Sequence, residues 1–147
     1  MRVMVLGGYG NFGARISRAL GGDDRIELLV AGRDGKQAAA FAAALPGRAQ
    51  GVAVDMHSAV FSQALQDHGV GLLIHTAGPF QGQDYAVARA CAQAGVNYID
   101  LADGRRYVCD FPRALHAAFV DTGRVAITGA STVPALSSAV VESLCAG

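Results

Sequence analysis

The sequence predicts a doubly wound α/β fold, a six-stranded parallel sheet in the order 3-2-1-4-5-6 with helices on both faces. Three observations carry that expectation. The hydrophobic fraction is 52% and the charged fraction only 16%, below the usual ~25%, so many elements must be buried on more than one face, as the strands of a parallel sheet are. Short apolar runs alternate with helical stripes about every two dozen residues, the rhythm of repeated βαβ units. The first apolar run, residues 3–6, passes through Gly7-Gly8-Tyr9-Gly10-Asn11-Phe12-Gly13 directly into a helical pattern, which is the strand-turn-helix context of a dinucleotide-binding turn. At 147 residues the chain suits one such domain.

The glycine turn admits two registers. Gly8, Gly10 and Gly13 fit G-x-G-x-x-G, and Gly7, Gly10 and Gly13 fit a G-x-x-G-x-x-G variant. In either, one glycine makes the tight turn, one admits a pyrophosphate and one lets helix pack on strand. The backbone N–H groups of Tyr9, Gly10, Asn11 and Phe12 then stand at a helix N-terminus, where unpaired donors and the helix dipole favour a phosphate. Phe12, Ile16, Ala19 and Leu20 form the apolar stripe of that helix. Residues 26–31 read as the second strand, ending at Gly32-Arg33-Asp34. At this place an acid accepts from the ribose 2′-OH of NAD, whereas an arginine accommodates the 2′-phosphate of NADP. Arg33 stands first, which favours NADP over NAD. Asp34 is either the ribose acid or the N-cap of the next helix, whose stripe is Ala38, Phe41, Ala42 and Leu45.

Residues 51–55 read as the third strand, with Asp55 at its carboxyl end either bonding the adenine amino group or capping the following helix. Phe61, Ala64, Leu65 and His68 stripe that helix and Gly69 ends it, so His68 reads as structural. The fourth strand, residues 71–74, runs into His75-Thr76-Ala77-Gly78-Pro79-Phe80. Thr76, Ala77, Gly78 and Pro79 are small or turn-forming there, and let backbone approach the pyrophosphate and nicotinamide ribose. Asp84 opens a helix carrying Ala88, Cys91 and Ala92, with Gly95 as its stop. The fifth strand, residues 96–101, delivers Asp100 and Asp103 toward the rim beside the nicotinamide. They are either an acid-base pair or ordinary turn and loop-capping residues. Asp110 caps the next helix, with Pro112 in its first turn and Leu115 and Phe119 on its face. Residues 124–128 are the sixth strand, and Leu136, Val140, Val141 and Leu144 stripe a final helix.

Composition excludes several function classes. Twelve basic residues balance twelve acidic ones and no basic run occurs, so there is no electrostatic footprint for nucleic acid or an anionic membrane. The apolar runs are far shorter than a membrane span and residues 1–20 lack a signal-peptide layout, so the sequence reads as that of a soluble cytoplasmic protein. Cys91, Cys109 and Cys145 show no C-x-x-C spacing, and His57, His68, His75 and His116 no paired spacing, so neither a disulfide framework nor a metal site is indicated. The short-chain dehydrogenase and sugar epimerase chemistry needs a Tyr-x-x-x-Lys. The chain's single lysine, Lys36, has no tyrosine at that spacing.

With Gly129-Ala130-Ser131-Thr132-Val133-Pro134-Ala135-Leu136-Ser137-Ser138 in view, the chain resembles the NADP-binding domain of the saccharopine dehydrogenase-like family. The likeness rests on the glycine turn of residues 7–13, Ala31-Gly32-Arg33, Ala77-Gly78-Pro79-Phe80 with the helix after it and Tyr98-Ile99-Asp100, and the Val133-Pro134-Ala135-Leu136-Ser137-Ser138 segment. His75 departs from it where asparagine is frequent, and Ala135 where glycine is usual. The resemblance implies an NADP-dependent oxidoreductase that acts on a small-molecule substrate by hydride transfer. It also implies a second, substrate-binding and often dimerising domain that this chain does not reach, so a homodimer is among the expectations. A non-catalytic NAD(P)-binding redox sensor or regulatory module is the competing function.

Overall fold

The computed structural model describes residues 1–146. Its sheet has six strands in the order β3-β2-β1-β4-β5-β6, and every neighbouring pair is parallel, as the sequence predicts. The strands are β1 (Arg2–Leu6), β2 (Glu27–Gly32), β3 (Ala49–Ala53), β4 (Leu72–His75), β5 (Asn97–Asp100) and β6 (Ala126–Ile127). The helices are α1 (Asn11–Leu20), α2 (Gly35–Ala43), α3 (Phe61–Asp67), α4 (Ala86–Ala94), α5 (Arg105–Thr122) and, after a wide turn at Thr132–Leu136, α6 (Ser137–Cys145).

Two hydrophobic layers follow from strand periodicity. Successive strand side chains point to opposite faces, so Met4, Leu6, Leu29, Ala31 and Leu73 join Phe61, Leu65, Ala88, Cys91, Tyr98, Phe111 and Leu115 in one layer. Val5, Leu28 and Val30 meet Ala42, Phe41, Ile16 and Leu20 in the other. The register Met4↔Leu29 and Leu6↔Ala31 lines each face up across strands. Cys91 is a fully buried thiol of the first layer, and burial pushes its pKa up.

Two helices differ from the sequence reading. In α1 the buried residues are Gly13, Ala14 and Ser17, while Phe12 is 65% exposed. The helix lies on the sheet through these small residues together with Ile16 and Leu20 of the apolar stripe, while Phe12 and Ala19 of that stripe face outward. A Cβ on Gly13 would collide with the Gly7 carbonyl oxygen and stand 2.7 Å from Thr76 Oγ1, so only glycine lets α1 approach this closely. In α5 the helix begins at Arg105, so Asp110 and Pro112 are interior and Asp110 caps nothing. Its buried residues Tyr107, Phe111, Leu115 and Phe119 recur every four positions, and each is worth about 1.5–3 kcal/mol when buried. That outweighs the ~3 kcal/mol cost of an interior proline, whose ring sits on the exposed side.

Candidate cofactor and substrate cleft

The strand order β3-β2-β1-β4 places the carboxyl ends of these four strands side by side, where ligands gather in open α/β sheets. The cleft there has a volume of about 470 Å³ and is lined by Gly7, Tyr9, Gly10, Arg33, Asp55, Ala77, Gly78 and Pro79 among others. Its centre is the glycine turn. Gly7 adopts φ +79 and its N–H donates to the Ala31 carbonyl at 2.8 Å, while the Gly10 N–H donates back to the Gly7 carbonyl at 2.9 Å. Gly10 is the N-cap of α1, with no side-chain cap, and the Ala14 N–H is the first to bond back, to the Gly10 carbonyl at 2.8 Å. The N–H groups of Asn11, Phe12 and Gly13 therefore lack intrahelical partners. A Cβ on Gly10 would meet nothing within 4 Å except the Gly7 carbonyl oxygen, at 3.2 Å, so the space above it is open. These features select the G-x-x-G-x-x-G register: Gly7 turns, Gly10 opens and Gly13 packs. Gly8 is buried instead, its added Cβ meeting the Val5 carbonyl oxygen at 2.8 Å, and its own carbonyl accepts from the buried Ser17 hydroxyl at 3.0 Å.

On the adenosine side, Tyr9 lies over Gly32, where an added Cβ would come within 2.6 Å of its ring. The Tyr9 hydroxyl accepts from the Asp34 N–H at 3.1 Å. Asp34 is the N-cap of α2: its Oδ1 accepts from the Lys36 and Gln37 N–H groups at 2.9 and 3.0 Å. Asp55 lies two residues past the end of β3, and its Oδ1 accepts from the His57 N–H at 3.0 Å. It therefore caps a turn before α3 and lines the cleft at once. Beside the cleft, and sharing Tyr9 and Arg33 with it, is an open cavity of about 790 Å³ lined also by Lys36 and Gln37. Neither Arg33 nor Lys36 forms an ion pair among the described residues. Lys36 escapes a reading that looks for one arginine after the second strand. The available signal was that the only lysine in the chain follows Arg33 by three residues.

On the nicotinamide side, the Thr76 hydroxyl donates to the Leu6 carbonyl at 2.8 Å and so ties the β4 turn to the glycine turn. Ala77 is half-buried, while Gly78 and Pro79 are exposed to the cleft. Gln83, which sequence reasoning also missed, holds this turn by donating to the Ala77 and Pro79 carbonyls at 2.9 and 2.7 Å.

Of the two readings of Asp100 and Asp103, the geometry favours loop capping over an acid-base pair. Asp103 is exposed and its Oδ1 accepts from Gln81 Nε2 at 2.9 Å, but Asp100 is wholly buried. Asp100 Oδ1 accepts from the Ala102 N–H at 3.0 Å and from the Thr128 hydroxyl and Gly129 N–H, each at 2.9 Å. It fastens the exit of β6 to the end of β5, since its side chain shares the inward face with Tyr98 and β5 ends beneath the β6 loop. Its neighbour across the sheet, His75, is buried too, with Nδ1 3.0 Å from the Tyr98 hydroxyl. Burial lowers the His75 pKa to about 4, against the opposing charge of Asp100.

The residues present fit a dinucleotide. Free N–H donors at the start of α1 suit the pyrophosphate, the open space over Gly10 lets it approach, and Arg33 with Lys36 suits a 2′-phosphate. Among the described residues no group of three metal-ligating side chains occurs, and no helix is long and apolar enough to cross a membrane.

Comparison with known proteins gives the same reading. Carboxyaminopropylagmatine dehydrogenase of Synechocystis is 30% identical over 145 residues, which cover 92% of this chain and 35% of that protein. The chain thus spans about a third of that relative's length. Among solved structures, yeast saccharopine dehydrogenase (L-Glu forming), from Saccharomyces cerevisiae, superposes with a TM-score of 0.68 at 20% identity, over 88% of this chain and 27% of that one. Synechocystis biliverdin reductase, in complex with biliverdin and NADP⁺, superposes at 0.59 and 20% identity, over 86% of this chain and 37% of that one. At these identities the superpositions speak for the fold. The sequence profile of the saccharopine dehydrogenase NADP-binding domain matches residues 3–127, and the chain belongs to that family of NADP-binding domains.

Proposed function

We propose that this chain is the cofactor-holding part of a longer NADP-dependent oxidoreductase, in which a second domain supplies the rest of the small-molecule substrate site and the dimer contacts. NADP, when bound, supplies the hydride chemistry. The chain's own residues bind and orient it. The start of α1 receives the pyrophosphate on the N–H groups of Asn11, Phe12 and Gly13, and Asp55 stands at the adenine end of the cleft. The turn held by Gln83 and Thr76 presents Ala77, Gly78 and Pro79 to the nicotinamide ribose. The observation that carries this reading is the open space over Gly10 at the uncapped start of α1, with two unpaired cations at the adenosine end of the same cleft.

Arg33 and Lys36 together make the 2′-phosphate site, so NADPH should bind more tightly than NADH. Arg33→Ala is expected to weaken NADPH by about 1.5–3 kcal/mol, Lys36→Ala by somewhat less, with NADH little changed in either. Fluorescence titration with both cofactors measures this. Equal losses for NADPH and NADH would contradict the assignment.

A further inference from the structure

The cleft and the open cavity of Arg33 and Lys36 meet at Tyr9, which lines both. Its backbone belongs to the glycine turn, but its side chain reaches the end of the next strand. The ring is half-buried and packs against the layer that holds Val5, Leu28, Val30 and Ala42. It lies there because β2 ends in Gly32, where a Cβ would stand 2.6 Å from both the Tyr9 hydroxyl oxygen and Cε1, and 2.7 Å from Cζ. Any other residue at that position would push the ring aside. Held between the core layer and a bare stretch of backbone, the ring has little rotamer freedom left to lose when a ligand arrives.

The Tyr9 hydroxyl accepts from the Asp34 N–H at 3.1 Å, its one hydrogen bond among the described residues. A phenol carries a proton as well as lone pairs, so this hydroxyl still has a hydrogen bond to give. Backbone donors from the start of α2 are already spent, since the Lys36 and Gln37 N–H groups both go to Asp34 Oδ1. The same capping engages the one carboxylate in the cavity lining. An anion entering here therefore meets side-chain donors: the Arg33 and Lys36 cations, the Gln37 amide and the Tyr9 hydroxyl. The cations sit on long flexible stems, whereas the hydroxyl is fixed by the packing of its ring.

We propose that Tyr9 is a specificity-determining residue for the cofactor, its hydroxyl donating to the 2′-phosphate while it accepts from the Asp34 N–H. It thereby ties the phosphate to the loop that carries Arg33. The proposal rests on the cofactor reading above for the phosphate, and the position of the hydroxyl rests on the ring packing alone. Hydrogen bonds to a charged acceptor are about twice as strong as those between neutral groups, so the hydroxyl favours a phosphate over the ribose hydroxyl that NADH offers in its place.

The test is fluorescence titration of NADPH and NADH into the parent and Tyr9→Phe, with melting curves alongside. Phenylalanine keeps the ring on Gly32 and removes only the oxygen. NADPH affinity should fall about tenfold and NADH affinity by less than about threefold, with melting temperatures close together. Unchanged NADPH affinity, or equal losses for the two cofactors, would overturn the proposal while leaving the cofactor reading intact. Failure of that reading shows in the parent instead: a parent that binds neither cofactor, or that does not distinguish them, would overturn both.

Discussion

At the scale of single residues, His75 shows how burial turns a side chain into a pH-dependent contribution to stability. Its pKa falls from 6.5 to about 4 because the ring is desolvated, with the charge of Asp100 only partly opposing the shift. Tyr98 and Tyr107, the other titratable groups near it, are pushed upward, chiefly by burial, and stay neutral. The unfolded chain therefore binds a proton between pH 6.5 and about 4 that the folded chain does not. Stability is fully present above pH 6.5 and is lost as the pH falls through that window, by about 3 kcal/mol in all. Denaturant titrations across the window should show the slope in the parent and a flatter profile in His75→Asn. An unchanged profile in the variant would assign the slope to other groups. In the sequence His75 was legible only as a departure from the family pattern, because nothing local to it says that Tyr98 and Phe80 will close over the ring. Asp100 was misplaced for the same reason. Its three donors come from residues 102, 128 and 129, two of them beyond a whole intervening helix.

Among the elements, α5 tests the balance between local propensity and burial. Pro112 removes the N–H that would have bonded the Val108 carbonyl, yet the helix continues because its stripe from Tyr107 to Phe119 is buried on both sides of the proline. Pro112→Ala should restore that bond and raise stability by about 1–2 kcal/mol, read as a higher urea midpoint at unchanged slope. A fall in the midpoint would mean that the ring contributes more by packing than it costs in hydrogen bonding. The strands were legible from short apolar runs, since burial on both faces leaves little else they could be. Helix starts were less so: a proline after an aspartate is a strong local signal for an N-terminus, and here it is overruled by apolar spacing that begins five residues earlier. In α1 the misleading signal was Phe12. A helix whose fully buried residues are Gly13, Ala14 and Ser17 carries the centre of its contact face in small residues, which a hydropathy stripe does not register, although Ile16 and Leu20 of that stripe do pack.

For the whole molecule, the cleft at the carboxyl ends of the strands was legible because topology alone dictates it once the strand order is known. The Gly7, Gly10, Gly13 register was not, since both glycine spacings fit and only the positive φ of Gly7 and the burial of Gly8 separate them. Among the described residues, eight of the eleven exposed large apolar side chains lie between Val120 and Leu144, so the β6 and α6 end is where this domain has surface left for further contacts. The central claim is that NADP lies with its pyrophosphate at the start of α1, reaching backbone donors through the space above Gly10. Gly10→Val fills that space at a residue whose φ of −77 any side chain tolerates, and because its Cβ would stand 3.2 Å from the Gly7 carbonyl oxygen the melting curve reads that packing cost separately from binding. Calorimetric titration of NADPH into the parent and Gly10→Val, with melting curves alongside, tests it most directly. The account predicts binding by the parent and at least about a hundredfold weaker binding by the variant, with melting temperatures close together. NADPH affinity retained in a folded Gly10→Val protein would contradict it.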